Sequence, residues 1–547
     1  MTDCRNAGKM GQVHMNEKKI PLTIGIIGHL DPRFGDTVAL RDAVKRELTK
    51  IRTRCPQTSL VLLCCLAKGA DLLCAEAAEE LGISLRAVLP MEQAEYEKDF
   101  ETKDLTRLRW QLERAQSVVF MPPAAEAEPE ERNRDFLFRQ AGIFVAEHSH
   151  ILLALWDGKS EDQSDCGTAA IVKAALQGSW KPRRGMACRS AENLAVIHVM
   201  TPREGNADPG AGTVNMLGRQ DNLDEILMRT EEFNRLAETA PDGGDSLLPE
   251  MDRDDPAMRK LEAVMQAADS LSLRFAREYR RTMGILAVLG TAVALTFLLY
   301  DEANLFFMIL ICGLALLAAM FTVNRAKRSA AHRRYIEYRM LAEALRVQMF
   351  LRYAGSRIET QRVMTWTEQQ ETPWILCAMC ALNAGNPPEK IRDIRECWVE
   401  KQRMYHEKAG QRTAGQSGRN DRLLRIAGIC AIVLYFGGIL FEVLCGGLAP
   451  HPAIPVQNSE LWRIVLKILL GTVSVGTLFL ASYYGKMSLE RKKTDHRKME
   501  AFFRTVNRQM EQFGQTEELM ELLAREELTE NGNWSSYQRD NAPELNI

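Results

Sequence analysis

The sequence lacks an excess of either charge, because its 70 lysines and arginines almost balance its 72 aspartates and glutamates. Overall charge therefore favours no class of partner. The sequence also lacks the paired cysteine spacing of a metal site. Among its 13 cysteines, Cys64 and Cys65 are adjacent in an apolar run, and Cys377 and Cys380 form a CxxC without a second pair. We expect free thiols in a reducing cytoplasm and no metal site.

A secretion leader is a further feature that the sequence lacks. Residues 1–20 contain no apolar run and no cleavage-site pattern. We therefore predict no signal peptide, and we expect these residues to form a polar tail in front of a cytoplasmic domain.

Four long apolar runs, arranged as two pairs, dominate the second half of the sequence. The first pair lies in residues 283–323 and is divided by Asp301 and Glu302, and the second lies in residues 423–484 and is divided by a proline-rich turn. Each run is about as long as the roughly 20 residues that an α-helix needs to cross the hydrocarbon of a bilayer. The sequence thus predicts two transmembrane hairpins and a lipid bilayer as a partner.

Basic residues flank both hairpins, whereas the turn of the first hairpin carries only acids. Since lysine and arginine concentrate on the cytoplasmic side, both hairpins are predicted to leave the cytoplasm and return to it. This pattern indicates a multi-pass protein of the cell membrane with cytoplasmic N and C termini. The flanking residues are Arg274, Arg277, Arg280, Arg281, Arg325, Lys327 and Arg328 for the first hairpin, and Arg419, Arg422, Arg425, Lys486, Arg491, Lys492 and Lys493 for the second.

Residues 21–201 alternate apolar strands with helices. The apolar runs begin at Leu22, Ser59, Leu85, Ser117, His150 and Leu194, with helical patterns before and between most of them. Strands that are apolar throughout are typical of a parallel sheet covered on both faces. The predicted fold is an α/β doubly wound parallel sheet, followed by an all-α membrane region with four transmembrane helices and long cytoplasmic helices.

In such sheets ligands lie beyond the carboxyl ends of the strands, and three predicted loops there have suitable chemistry. Glycines let a ligand approach the backbone, His29 and Arg33 suit phosphate, and free amides at a helix N-terminus attract an anion. Each of these residues also has a structural alternative, as a turn glycine or a helix cap. The candidate ligand-binding residues are Gly28, His29, Arg33, Gly69, Ala70, Asp71, Asp157, Gly158, Gly167 and Thr168.

The rest of the chain divides around the two hairpins. Residues 202–256 are polar and are interpreted as a linker with one short docking helix. Residues 257–415 hold the first hairpin with its cytoplasmic helices, and residues 416–547 hold the second hairpin with the C-terminal helices. Within the spans, Glu442 and Lys467 are expected either to face each other across the second hairpin or to sit singly at the membrane boundary.

The helix predicted from His332 to Tyr353 is basic and aromatic, as nucleic-acid-binding arms are. Its place beside the membrane and its apolar face at helical spacing instead favour a coupling helix that contacts anionic lipid. We therefore expect no nucleic acid as a partner.

The series IIGHLDP, LAKGADLLCAEAAEELGISLRAVLPMEQAEYEKDF, ILLALWDG and CGTAAIVKAA resembles the SLOG domains of prokaryotic conflict and signalling systems, which are relatives of the lysine-decarboxylase-like nucleotide-processing proteins. The resemblance covers the predicted α/β domain and implies a Rossmann-like sensor of a nucleotide-derived ligand. The family's GHR is here Gly28-His29-Leu30, and Lys68 stands at a usually acidic position. Ile171 stands where the nucleotide-cleaving relatives carry a glutamate, so the resemblance assigns no catalytic residue.

The segments HRRYIEYRMLAEALRVQMFLRYAG, WVEKQRMYHEKA and TDHRKMEAFFRTV resemble the SLATT-type two-spanning modules that accompany SLOG domains. This resemblance implies a pore-forming or membrane-perturbing effector of a ligand-triggered defence system. We expect such an effector to act as a homo-oligomer.

Taken together, these features predict a membrane effector whose cytoplasmic domain senses a nucleotide-derived ligand and controls the four-span region. One alternative is a membrane-anchored nucleotide-processing enzyme that uses Asp71, Asp157 or His29, although no nucleophile and base stand at a recognisable spacing. Another alternative is a membrane scaffold that recruits partners through its cytoplasmic helices.

Overall fold

The computed structural model describes residues 17–121, 133–159, 167–177, 194–203, 210–218, 220–241, 247–248, 255–386, 388, 390–445, 459–487 and 489–540. These residues belong to two compact units, which are taken in turn below. The first unit comprises the described residues of Met1–Leu271, Glu337–Ile394 and Gln515–Asn533. The second comprises those of Ser272–Ile336, Arg395–Gly514 and Trp534–Ile547.

The N-terminal part of the first unit alternates strands with helices as predicted. Its elements are β1 (Leu22–Gly28), α1 (Thr37–Arg54), β2 (Leu60–Cys64), α2 (Ala70–Glu80), β3 (Ser84–Leu89), α3 (Thr102–Arg114), β4 (Ser117–Phe120), α4 (Arg134–Glu147), β5 (Ile151–Trp156), α5 (Thr168–Gln177), β6 (Ala195–Met200), β7 (Val214–Leu217) and α6 (Gln220–Ala237). Short helical turns lie at Phe34–Asp36 and Gln93–Asp99.

The seven strands form one sheet in the order β4-β3-β2-β1-β5-β6-β7. All neighbouring pairs are parallel except β6 and β7, which are antiparallel. This arrangement confirms the predicted doubly wound parallel sheet. Strand β7 was not predicted, whereas the 18-residue helix α6 lies where one short helix was expected within the segment interpreted as a linker.

The two faces of the sheet carry separate apolar cores. Strands β1, β2 and β5 are buried along nearly their whole length, because helices cover both faces. Successive side chains of a strand point to opposite faces, so Ile26 belongs to one core and its neighbour Ile27 to the other. The unbroken apolar runs of the sequence thus have a direct structural cause.

Helices from later in the chain complete the first unit. They are α7 (Pro256–Glu302, to Leu271), α9 (Ala331–Tyr353, from Glu337), α10 (Thr360–Val363), α11 (Trp366–Glu371), α12 (Pro373–Asn383) and α16 (Glu517–Asp540, to Asn533). A buried aromatic cluster joins them to α6, with the Phe233 ring 5.4 Å from Tyr338 and 6.2 Å from Trp374. The α/β part is therefore packed against helices that are distant in sequence.

Two polar side chains bind this helical layer to the edge of the sheet. The Asn386 amide accepts a hydrogen bond from the Phe120 amide at 3.1 Å and donates one to the Val118 carbonyl at 2.8 Å, so it occupies the free edge of β4 as a neighbouring strand would. Arg86 of β3 donates to the Ala381 and Ala384 carbonyls at the C-terminal end of α12. Burial lowers the pKa of Arg86 to about 10, and the helix C-terminus favours the charge that remains.

A chain of four largely buried charged side chains ties the end of α4 to the segment around α10. Arg362 lies 3.1 Å from Glu147 and hydrogen-bonds Glu359, whose carboxylate lies 3.2 Å from the Nε2 of His148. The His148 Nδ1 lies 2.9 Å from the Phe144 carbonyl, so both ring nitrogens face acceptors. We refer to Glu147, Arg362, Glu359 and His148 as the charge chain. Arg362 lies between two carboxylates of opposite charge, and the His148 ring contacts one of them, so the buried charges are compensated within the group.

The second unit contains the four apolar helices that the sequence predicts. Its elements are α7 from Ser272, α8 (Met308–Ser329), α9 to Ile336, a π-helical turn (Arg395–Glu400), α13 (Lys401–Cys445), α14 (Ser459–Met487), α15 (Leu489–Phe513) and α16 from Trp534. The helices long and apolar enough to span a membrane are Pro256–Glu302, Met308–Tyr353, Arg395–Leu444 and Glu460–Leu478. The protein is thus a multi-pass membrane protein by the length and composition of these helices.

Ion pairs join the spans at the end where both hairpins turn. Lys467 lies 2.9 Å from Glu302, and Arg463 lies 3.0 Å from Glu442. The structure shows neither a Glu442–Lys467 ion pair nor two single residues, the two alternatives expected from the sequence, because Arg463 and Glu302 offer nearer partners. Close packing accompanies these pairs, since a Cβ at Gly471 would lie 2.8 Å from the Leu298 side chain. Glu302, Glu442 and the start of α14 therefore lie at one end of the second unit.

The charge chain predicts a measurable loss of stability when Glu359 is neutralised. Burial by itself raises the pKa of Glu359, but Arg362 and His148 outweigh it and hold the pKa at about 2, below its ordinary 4.5. The stabilisation is present above pH 4.5 and is lost as pH falls towards 2, and the difference corresponds to roughly 3 kcal/mol at pH 7. We expect Glu359→Gln to lower the melting temperature of the full-length protein by several degrees at pH 7.

Glu80→Gln is the matched control, because Glu80 pairs with Arg41 and Lys45 on the exposed side of α2. Exposed ion pairs add little stability, so this variant should have the same melting temperature as the wild type. Equal melting temperatures for Glu359→Gln and the wild type would contradict the role given to the charge chain.

Candidate functional site

The strand order points to one place at the carboxyl edge of the sheet. From β1 the chain proceeds outward through β2, β3 and β4, and then returns to add β5 on the other side of β1. The order therefore reverses between β1 and β5. In open α/β sheets the loops at such a switch point diverge and leave a crevice in which ligands bind.

His29 and Asp157 occupy this switch point. Each follows its strand directly, and the side chains are only 5% and 7% exposed. The His29 Nε2 lies 3.2 Å from the Asp157 amide and 3.3 Å from the Asp157 Oδ1. The Nε2 accepts from the amide when the ring carries its proton on Nδ1, and it donates to the carboxylate in the other tautomer. The pair therefore places a hydrogen-bonding group where ligands bind in such sheets.

The loop after β5 is fixed by local hydrogen bonds. The Asp157 Oδ1 accepts from the Lys159 amide at 3.1 Å, which closes an Asx-turn. Gly158 has φ +80°, a left-handed conformation that favours glycine. The side chain of His198 in β6 lies beside Gly158, and its Nε2 is 2.8 Å from the Trp156 carbonyl. His198 is a candidate lining residue that the sequence analysis missed, because nothing in the apolar run of β6 marks its single histidine.

Gly28, Gly69 and Ala70 bring two loops into contact with each other. A Cβ at Gly28 would lie 2.4 Å from the Ala70 Cβ, and one at Gly69 would lie 2.4 Å from the Leu30 carbonyl oxygen. The Ala70 amide donates to the His29 carbonyl at 3.0 Å. The space next to these glycines is thus filled by the protein's own atoms. The three residues position His29, and they match the structural alternative considered for turn glycines.

Asp71 faces its own loop. Its carboxylate accepts a hydrogen bond from the Ala67 amide at 3.3 Å, and the side chain is buried near Cys64 and Cys74. Burial raises the pKa of Asp71 to about 7, against the opposing effect of the Ala67 amide and the Cys64 thiol. An acid group that already occupies the N-terminus of α2 leaves that helix end less suited to an anionic ligand.

Arg33 lies at the rim. Its Nε donates to Asp36 at 2.7 Å, and its backbone amide donates to the Pro202 carbonyl at 3.0 Å. Arg203, which the sequence analysis did not single out, lies in the same strand-end region and pairs with Asp31 at 3.0 Å. The rim thus holds two arginines, each paired with an exposed or half-buried aspartate.

Gly167 and Thr168 open α5, and Thr168 is buried there. The adjacent Cys166 lies outside the described residues. Ile171 packs on Gly142 of α4, inside the apolar core that also contains Ile27. Among the residues that the structure describes, no hydrogen bond joins Thr168 to the His29–Asp157 pair.

No group of three histidine, cysteine, aspartate or glutamate side chains within the described ranges is placed to hold a metal ion. Comparison of the chain with protein-family models and with curated proteins found no match. The argument for function therefore depends on the geometry at the strand ends and on the apolar helices.

Asp71 predicts a pH effect on stability that one substitution removes. Because the folded pKa is about 7 and the ordinary value is 3.8, the folded state holds the proton more tightly, and stability falls as pH rises from 3.8 to 7. The total effect is at most about 4 kcal/mol. We expect Asp71→Asn to melt above the wild type at pH 8, and the difference in melting temperature to shrink by more than half at pH 5, because the wild type loses its penalty fully only below the ordinary pKa of 3.8.

Melting curves of the full-length protein at pH 5 to 8 measure this difference directly. Asp36→Asn serves as the control, since Asp36 lies in the rim turn and pairs with Arg33. A wild type that melts above Asp71→Asn at pH 8 would contradict the raised pKa of Asp71.

Proposed function

We propose that this protein is a ligand-controlled membrane effector. Its α/β domain binds a nucleotide-derived small molecule at the switch point between β1 and β5, and occupancy alters the four-span region. The spans of several copies assemble and make the membrane permeable, as in a prokaryotic defence or signalling system. The observation that carries the proposal is helix α7, which begins in the first unit and continues without interruption into the first candidate span.

The chemistry of the strand ends supports a phosphate-bearing ligand with hydrogen-bonding groups. His29 and Asp157 offer a donor and an acceptor at the crevice, and Arg33 and Arg203 lie at its rim. The carboxylate partner of Arg203 is about half exposed, so a ligand phosphate can replace it at little cost. A nucleotide fits this combination, and the resemblance to SLOG domains favours the same class.

The position of β5 supports a physical link between site and membrane. His148 of the charge chain stands before β5, and Asp157 of the candidate site follows its six residues. Two other members of the charge chain, Glu359 and Arg362, follow α9 in the sequence. Helix α9 belongs to the second candidate span. If β5 has two positions, a ligand that binds one of them more tightly shifts the equilibrium between the two positions. The size of the shift is set by the difference between the ligand's binding free energies for the two positions.

An enzymatic function is the second candidate, and one observation favours it. The buried His29–Asp157 pair has the composition of a general acid–base pair. Release of a nucleotide fragment or base by the full-length protein would place the protein among membrane-anchored nucleotide-processing enzymes. Binding without turnover would support the sensor.

The test uses full-length protein in liposomes loaded with a fluorescent dye. Cyclic dinucleotides, cyclic mononucleotides and ADP-ribose are added separately, and one of them is expected to release dye. His29→Ala removes a hydrogen bond at the site and should weaken binding at least about tenfold, since such a bond to a charged group contributes about 1.5–3 kcal/mol. The dose that releases half the dye should rise by the same factor.

Glu80→Gln, on the exposed side of α2, is the control and should respond as the wild type does. Dye release that needs no nucleotide, or that is equally sensitive in His29→Ala, would contradict ligand control through this site. Ligand binding without any release would retain the sensor and contradict the permeability.

A further inference from the structure

Helices α13 and α15 of the second unit run side by side in antiparallel orientation, beyond the apolar parts of the spans. Phe503 and Val506 of α15 are buried in this contact region. Gly410 of α13 lies close to His496, because a Cβ added to Gly410 would be only 3.6 Å from the His496 Cβ. Polar contacts mark the pairing at Arg395–Glu511, Arg403–Glu500 and Ser417–Glu490. The two helices therefore share one continuous interface that leads to the third and fourth spans.

Two histidines face each other in the middle of this interface. The Nδ1 of His406 lies 3.0 Å from the Nδ1 of His496, and the ring centroids are 5.2 Å apart. His406 is buried and stacks on Phe503 at 5.7 Å. We refer to these two residues as the histidine pair. It joins α13 to α15 through a single N–H···N hydrogen bond.

Proton counting shows when this hydrogen bond exists. Two neutral rings satisfy it when one of them carries its proton on Nδ1. One added proton is also tolerated, because an imidazolium Nδ1–H can donate to the free lone pair of the other ring. A second added proton places an N–H on both Nδ1 atoms, and two donors at 3.0 Å repel each other. The doubly protonated pair is therefore incompatible with the packed helices.

The charged groups around the pair do little to stabilise two protonated rings. Asp495 and Lys492 of α15 act on His496 in opposite directions, and burial, the largest effect, lowers the pKa of His496 below its ordinary 6.5. On α13, Arg403 is bound to Glu400 and Glu407 and also lies 3.7 Å from Glu500 of α15. The neighbouring Tyr405 presents its ring edge-on to His496.

We propose that the histidine pair is a proton-sensitive contact between α13 and α15, which opens when both imidazoles become protonated on acidification. This inference is independent of the proposed ligand control. Opening separates the helices at the bases of the third and fourth spans, so acid pH acts on the membrane region without any ligand.

Hydrogen exchange of the full-length protein in liposomes tests the proposal. Exchange is measured by mass spectrometry at pH 7.5, 6.5 and 5.5, with EDTA present, and is corrected for the intrinsic pH dependence of amide exchange. Protection of residues 403–410 and 493–500 is expected to fall by up to about tenfold per pH unit below 6.5, since the open state binds the additional proton. Protection of β1 should stay constant, which distinguishes local opening from acid unfolding.

Two variants locate the effect. His496→Gln and, separately, His406→Gln remove one titrating group and leave an amide that can still hydrogen-bond, so protection should become independent of pH. His332→Gln is the control, because His332 stacks on Tyr279 elsewhere in the same unit and its replacement should leave the response intact. Constant protection in the wild type overturns the proposal, and so does a response in either Gln variant equal to that of the wild type.

Discussion

The contacts among Glu147, Arg362, Glu359 and His148 join parts of the first unit that lie more than 200 residues apart in sequence. They are largely buried, and Glu359 remains ionised because Arg362 and His148 face it. Removing Arg362 would take the cationic partner from both Glu147 and Glu359, and leaving a largely buried charge without compensation is strongly destabilising. The end of α4 is thereby held to the segment that follows α9.

This constraint gives the α/β part a different character from an independent domain. Its edge strand is paired by the side chain of Asn386, its Arg86 caps α12, and its α6 packs into aromatic residues of later helices. A fragment ending after β6 would expose all of these surfaces. The candidate site at His29 and Asp157 thus belongs to a unit that includes helices leading to the membrane, and its properties are best measured in the full chain.

The parts of the fold that the sequence predicts are those with local or periodic signals. Continuous apolar runs predict the six parallel strands, and four uncharged runs of sufficient length predict the spans. Strand β7 has only four residues, among them an exposed Asn215, which is too few for an alternating pattern to emerge. The charge chain, the Asn386 contact and the histidine pair join residues far apart in sequence, so no local pattern signals them.

The candidate site was predictable in location and less so in detail. Loops at the carboxyl ends of parallel strands are a general place for ligands, so Gly28-His29 and Asp157-Gly158 were found from the strand pattern alone. The sequence does not tell which glycines face open space, and Gly28 and Gly69 serve loop packing instead. The partners of ionisable residues in the spans likewise depend on tertiary packing, as the Glu302–Lys467 and Glu442–Arg463 pairs illustrate.

If a ligand at the strand ends controls the spans, its binding must alter the charge chain and the start of the first span. Hydrogen exchange at residues 359–363 and 272–282 of the full-length protein, measured with and without a nucleotide that raises its melting temperature, distinguishes the possibilities. Binding is expected to change the protection of both segments, and Glu359→Gln is expected to abolish the change in the second segment while binding persists. A ligand that binds at His29 and leaves both segments unchanged would contradict control of the spans by the ligand.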